Sequence, residues 1–132
     1  MSVLIALLLL AGVQDAKPVQ GREAILKQDI ELAIKKLGSD RFTESFIAAE
    51  ELREIGRPAV AALVSELNRR DASPGVKRSI CEILGAIRDP NRDAVSALSA
   101  RLKDPDEYGT SVASAAARAL SLIGDERALP EI

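Results

Sequence analysis

The feature that most constrains the fold is a short pattern that occurs three times. Each copy joins an apolar helix end, a few turn-forming or polar residues, and a new apolar start: LREIGRPAV (Leu52–Val60), LGAIRDPNRDAV (Leu84–Val95) and LSLIGDERAL (Leu120–Leu129). The first leucines of these copies are 32 and 36 residues apart. A period of this length is typical of stacked helical pairs, because one pair cannot bury its apolar face alone. The sequence therefore predicts an all-α solenoid.

The spacing of apolar residues supports helices along the whole repeat region. Apolar residues recur every three or four positions, and no stretch alternates with a period of two. In the helix before the first joint we expect the core-facing stripe to be Phe46, Ala49, Leu52 and Ile55.

Turn-forming residues mark where the predicted helices start and stop. We expect Ser39 or Asp40 to cap the helix that carries Phe46, and the acidic cluster at 104–107 to cap the long alanine-rich helix. Gly124-Asp125 is expected to end that helix, with a further short helix after it.

The first residues are predicted to lie outside the fold. Val3–Ala11 is a run of nine apolar residues, a length that suits a secretory signal and is too short to span a bilayer. A polar, turn-prone stretch, Gly12–Gly21, follows. We therefore expect a signal peptide at 1–16 and an exported protein that is periplasmic, in the cell envelope or secreted. A buried N-terminal helix or a short uncleaved anchor is the alternative.

The remaining chain divides into a linker with an N-terminal helix and a repeat domain. The linker and helix are placed at 17–38, and the repeat domain at 39–132. Its three predicted helical pairs cover about 39–70, 73–103 and 107–132.

Composition excludes several kinds of site. The chain has no His, which removes Ser-His-Asp catalysis and His-ligated metal centres. Its 18 Lys and Arg against 20 Asp and Glu give a formal net charge of −2, which argues against a nucleic-acid partner. Cys81 is the single cysteine, at an apolar helix position that favours a core role. We therefore expect no enzyme activity, catalytic residue, metal or cofactor.

At the joints the chain resembles the short HEAT-like repeats of the phycobilisome-lyase type. Ile123-Gly124-Asp125-Glu126-Arg127-Ala128-Leu129-Pro130 matches their pattern well. Ile55–Val60 is a shortened match, and Ile87-Arg88-Asp89-Pro90 has Arg88 in place of Gly. The resemblance implies a short right-handed α-solenoid of antiparallel helical pairs. The family's di-iron hydroxylases need His, and its DNA glycosylases need aromatic residues and a basic channel, so neither activity is expected here.

Charge is distributed unevenly along the repeats. Residues 57–103 contain nine basic and five acidic residues, an excess of four positive charges in a chain of net −2. Cations at helix ends can simply complement the helix dipole. The functional interpretation is a surface for an anionic partner, made by Arg57, Arg69, Arg70, Arg92, Arg101 and Lys103.

These observations predict a non-catalytic adaptor or scaffold that binds another protein. Binding is expected in a groove lined by the second helices of the pairs. The alternative is an accessory subunit of a lyase-like enzyme complex. The final helix is expected to be too short to cover Val112, Ala116, Leu120 and Ile123, so that this face stays partly open. Two interpretations are left open: a ragged end with modest exposure, or self-association or partner docking through the C-terminal end.

Overall fold

A computed structural model describes the chain at residues 16–107 and 109–128, with side chains from residue 24 to residue 124. Within these ranges all regular structure is helical, which confirms the prediction of an all-α, solenoid-like fold. The elements are α1 (Ala16–Lys36), α2 (Phe42–Ile55), a 3₁₀ turn (Arg57–Ala59), α3 (Val60–Leu67), α4 (Pro74–Ile87), α5 (Arg92–Arg101) and α6 (Val112–Ala128).

The chain forms two compact units, Met1–Glu31 and Leu32–Ile132. The predicted signal segment Val3–Ala11 lies outside the described residues. The expected turn-prone stretch is wrong from Ala16 onward, because α1 already begins there and continues through Gly21. No helix among the described residues is long and apolar enough to cross a membrane.

Side-chain caps set the starts of the later helices. Ser73 accepts a hydrogen bond from the backbone N–H of Val76, and Asn91 accepts two from Asp93 and Ala94. Before α6 the acceptor is Ser111, which takes the N–H of Ser114 at 3.1 Å. The expected cap by the acidic cluster at 104–107 is therefore wrong: the cluster lies several residues before the start of α6.

The start of α2 also differs from the expectation. The residue at the N-cap position is Arg41, whose side chain makes no capping bond. Ser39 accepts the N–H of Arg41 and donates its hydroxyl to Glu44, so it ties the preceding loop to the first turn. These contacts replace the direct cap that was expected from Ser39 or Asp40.

The three joints end their helices differently. Gly56 terminates α2 with φ of 73°, a conformation that favours glycine. Arg88 terminates α4 in the left-handed region with φ 59° and ψ 35°. Gly124, at the corresponding place in the third joint, lies inside α6. The expected helix end at Gly124-Asp125 is therefore wrong.

Helix α4 is the centre of the second unit. It packs against α2, α3 and α6, while α5 packs against α3 and α6. Its buried residues, Ile80, Cys81, Ile83, Leu84 and Gly85, contact these neighbours from several sides. The core around this helix is therefore built from aliphatic and small side chains.

The core-facing side of α2 differs from the predicted stripe. Ala48 and Leu52 are its buried residues, whereas Phe46 is 50% exposed. Of the four residues in the expected stripe, only Leu52 is buried. The side of α2 that faces the core is therefore the side that carries Ala48 and Leu52, and Phe46 lies outside it.

Helices α4 and α6 approach each other closely at one point. A Cβ atom added to Gly85 would lie 2.9 Å from the Cα of Ala119, so this contact depends on the absence of a side chain. On the same helix, Val112, Ala116 and Ile123 are buried. Leu120, the fourth residue of the expected open face, is partly exposed. The expectation that this face stays open is therefore wrong at Val112, Ala116 and Ile123, and self-association through the C-terminal end stays a prediction.

Candidate interaction surface

A cleft of about 420 Å³ lies between α2 and α4. Its α2 wall includes Phe42, Phe46 and Ala49, and its α4 wall includes Arg78 and Glu82. We call it the aromatic cleft. One wall is therefore largely apolar and the other largely polar.

The two phenylalanines of this cleft are unusually exposed for large apolar side chains. Phe42 is 78% exposed and Phe46 is 50% exposed, and their rings stack with centroids 5.9 Å apart. They are four residues apart on α2, so they share one side of the helix, whereas Leu52 faces the core. The chain has three aromatic residues in all. Both of those whose side chains the structure describes, Phe42 and Phe46, lie at solvent.

A second, smaller cleft of about 250 Å³ continues the first between α4 and α6. We call it the alanine cleft. Its walls include Ala86, Ala115 and Leu122, and it shares Arg53 and Glu82 with the aromatic cleft. The two clefts therefore form one surface across the first helices of the pairs.

Each first helix contributes an arginine to this surface: Arg53 from α2, Arg78 from α4 and Arg118 from α6. Arg53 forms an ion pair with Glu50, and Arg78 binds Glu82 at 3.2 Å. Both pairs are solvent-exposed, and exposed pairs of this kind contribute only about 0.3–0.5 kcal/mol. Little free energy is therefore lost when such an arginine changes partner.

The groove expected from the sequence, between the second helices, is also present. It has a volume of about 470 Å³ and is lined by small and polar side chains of α3 and α5 and their flanking residues, such as Val64, Ser65, Asn68 and Ser96. The charged side chain in its lining is Asp93. None of the six predicted basic residues is among the lining residues, so the structure does not bring them together in this groove.

Two of the six predicted basic residues have acidic partners within the chain. Arg69 binds Glu66 at 3.2 Å and Asp71 at 2.8 Å. The hydrogen bonds with Asp71 raise the pKa of Arg69, and they lower the pKa of Asp71. Arg101 binds Asp104 at 3.4 Å.

The other four predicted basic residues are solvent-exposed: Arg57, Arg70, Arg92 and Lys103. Contact between these six basic residues and a partner stays a prediction.

The described residues offer few groups for chemistry. Burial raises the pKa of the Cys81 thiol to about 12, so the group stays protonated and unreactive at neutral pH. No cluster of three or more potential metal ligands occurs among the residues that the structure describes.

The sequence interpretation missed the aromatic cleft and its arginines. One signal was available: Phe42, Phe46, Ala49 and Arg53 lie at i, i+4, i+7 and i+11, which is a second stripe on α2. The stripe was mistaken for part of the core because it overlaps the one that contains Leu52.

The comparisons with known proteins agree with this architecture. A family model described as HEAT repeats matches residues 60–132, more than half of the chain. No curated protein and no solved structure matches the chain significantly. The matched residues cover α3 to α6 of the second unit and begin after α2. The chain is therefore a member of the HEAT repeat family, whose repeats are generally protein-interaction modules.

Proposed function

We propose that the chain is a non-catalytic adaptor or scaffold that binds another protein through the aromatic cleft. The observation that carries the proposal is the stacked pair Phe42 and Phe46 at solvent. Contiguous exposed apolar side chains beside a cleft are typical of interaction sites, where a few residues, often aromatic, contribute most of the binding free energy.

The location of the pair supports this function. Removing Phe42 and Phe46 from water against a partner gains hydrophobic free energy without disturbing the core residues Ala48 and Leu52. Ile47, which is 62% exposed on the same helix, is not among the residues that line the cleft. It provides a matched control for the role of exposed apolar residues in general.

The non-catalytic part of the proposal rests on the available side chains. The sequence has no His, and the Cys81 thiol is buried and protonated. The alternative role as an accessory subunit of a lyase-like complex requires a pocket with converging polar groups. No observation in the described residues favours it over simple binding.

Site-specific photo-crosslinking in the source cells tests the binding surface. A photoreactive phenylalanine analogue replaces Phe46 in one variant and Ser96, in the second-helix groove, in another. We expect one partner to be captured at position 46 and lost when Phe42→Ser is added, while Ile47→Ser leaves capture unchanged. Capture at position 96 alone would reject the aromatic cleft and favour the second-helix groove.

The predicted basic residues are tested in the same experiment. Arg92→Glu and Lys103→Glu reverse two exposed charges outside both clefts. If the aromatic cleft is the docking site, this double variant keeps its crosslink at position 46. Loss of the crosslink would show that the partner binds the basic residues at the ends of the second helices.

We also propose export as the cellular location, supported by the apolar run Val3–Ala11. Mass spectrometry of the chain recovered from fractionated cells tests this. A shortened chain in the envelope or medium is expected. A full-length chain confined to the cytosol would reject export without affecting the binding proposal.

A further inference from the structure

The shape of the aromatic cleft restricts what can occupy it. The α2 stripe runs from Phe42 to Arg53, twelve residues whose ends lie about 17 Å apart along the helix axis. The facing wall on α4 runs from Gly75 to Ile83. Leu37, which precedes α2, also lines the cleft. The two neighbouring helices therefore border a slot about two to three helical turns long, which is the surface on which a third helix packs by ridges and grooves.

Hydrogen bonding favours a helical occupant over an extended one. The walls belong to α2 and α4, whose mid-helix N–H and C=O groups bond within their own helices. Ser45, which also lines the cleft, donates its hydroxyl to the Phe42 carbonyl. An extended segment buried there would have few partners for its backbone, and each unpaired group costs free energy. A helix satisfies its own backbone groups and so avoids this loss.

The charges in both clefts favour an acidic occupant. Arg53, Arg78 and Arg118 line the two clefts together with the single carboxylate of Glu82. Glu50 pairs with Arg53 but does not line either cleft, and neither do the exposed acids Glu51 and Glu54. Even with Glu50 counted, three arginines stand against two carboxylates, so the surface that an occupant meets is net positive by one charge, although the whole chain is net negative.

We propose that the partner presents an amphipathic helix whose apolar face contacts Phe42 and Phe46 and whose flank carries carboxylates. This rests on the proposed function and identifies its partner by chemistry. The apolar anchors, at i, i+4 and i+7, lie against the α2 stripe. The carboxylates lie beside Arg53 and Arg78, which exchange their weak surface ion pairs with Glu50 and Glu82 for new ones.

Three stapled helical peptides of about four turns test this with the full chain, because stapling removes the cost of helix formation. All three carry Leu at the anchor positions; the flanks carry Glu, Lys or Gln. Fluorescence anisotropy measures Kd. We expect the Glu peptide to bind best, and Phe42→Ser with Phe46→Ser to weaken it about tenfold or more, as for a central aromatic contact. Ile47→Ser should leave its affinity unchanged.

A charge exchange gives the decisive comparison. In the variant Arg53→Glu with Arg78→Glu, the Lys peptide should bind better than the Glu peptide, because the sign of the cleft is reversed. The matched control Arg57→Glu with Arg92→Glu changes the same number of exposed charges outside both clefts and should preserve the original order. Equal affinity of the natural protein for the Glu and Lys peptides would overturn the proposal that the partner helix is acidic.

The remaining outcomes separate this inference from the proposed function. If no peptide binds but the crosslink at position 46 is retained in cells, the proposal of a helical partner is rejected. The proposal that the aromatic cleft binds a protein then still holds. Cleft-dependent binding of anionic lipid vesicles in place of peptides would overturn both. Concentration-dependent dimers in sedimentation that disappear with Phe42→Ser would identify a second copy as the occupant and overturn the inference.

Discussion

Gly85 on α4 and Ala119 on α6 approach so closely that a Cβ on Gly85 would lie 2.9 Å from the Ala119 Cα and 3.0 Å from its Cβ. Replacing a mid-helix glycine by alanine normally stabilises a helix by about 0.5–1 kcal/mol. Here the added methyl meets backbone, so Gly85→Ala should lower the free energy of unfolding by about 1–3 kcal/mol.

Urea unfolding followed by circular dichroism measures this effect. Gly124→Ala is the matched control, because a Cβ there meets nothing within 4 Å. This control should raise the stability, and the two alanine substitutions should therefore have opposite signs. An unchanged or increased stability for Gly85→Ala would show that the helices can separate at no cost.

Arg88 occupies a left-handed conformation that disfavours residues with a Cβ. Comparing Arg88→Gly with Arg88→Ala isolates the backbone contribution, because both remove the arginine side chain. The glycine variant should be more stable than the alanine variant by about 1 kcal/mol. Equal thermal midpoints for the two would indicate that the joint relaxes to another conformation.

The Cys81 thiol should make the free energy of unfolding depend on pH in the alkaline range. Its pKa is raised by burial from the ordinary 9.0 to about 12, so the folded protein keeps a proton that the unfolded chain loses above pH 9. The free energy of unfolding should therefore fall as the pH rises through this window.

Other groups titrate in the same range, so the measurement is the difference between the natural protein and Cys81→Ala. The natural protein should lose more stability between pH 9 and pH 11. Parallel pH profiles for the two proteins would contradict the buried thiol, as would rapid labelling of Cys81 by a thiol reagent under native conditions.

Substitutions on α2 distinguish the two stripes of that helix. Phe46→Ala removes a half-exposed ring and should change the stability by less than Leu52→Ala, which empties a fully buried position and should cost about 2–5 kcal/mol. Chemical denaturation of both variants provides the test. A larger loss of unfolding free energy for Phe46→Ala than for Leu52→Ala would show that Phe46 is a core residue and would contradict the exposed aromatic pair.

The sequence predicts the features that local chemistry determines. The second joint, Leu84–Val95, leads into a new helix as expected. Asn91 caps that helix, because a capping side chain and its backbone donors are neighbours in the chain. The solenoid class follows equally well, since the repeat period is visible in the residues.

Features that depend on neighbouring helices were predicted less well. Gly124 lies in mid-helix because glycine permits a helix end without requiring one. The choice between Phe46 and Ala48 as the buried side of α2 depends on where α4 lies. The aromatic cleft could not be predicted because both of its walls must first be placed in space.

Helix α4 has a further consequence for how the second unit opens. It is held by α2 and α3 as well as by α6, so fraying of one neighbour leaves the others in place. Opening should start at the outer helices, and the amide protons of α4 around Ile80–Leu84 should exchange with deuterium last. The helix that forms one wall of both clefts is thus the most persistent part of the domain, and it can keep that wall ordered while the outer helices fluctuate.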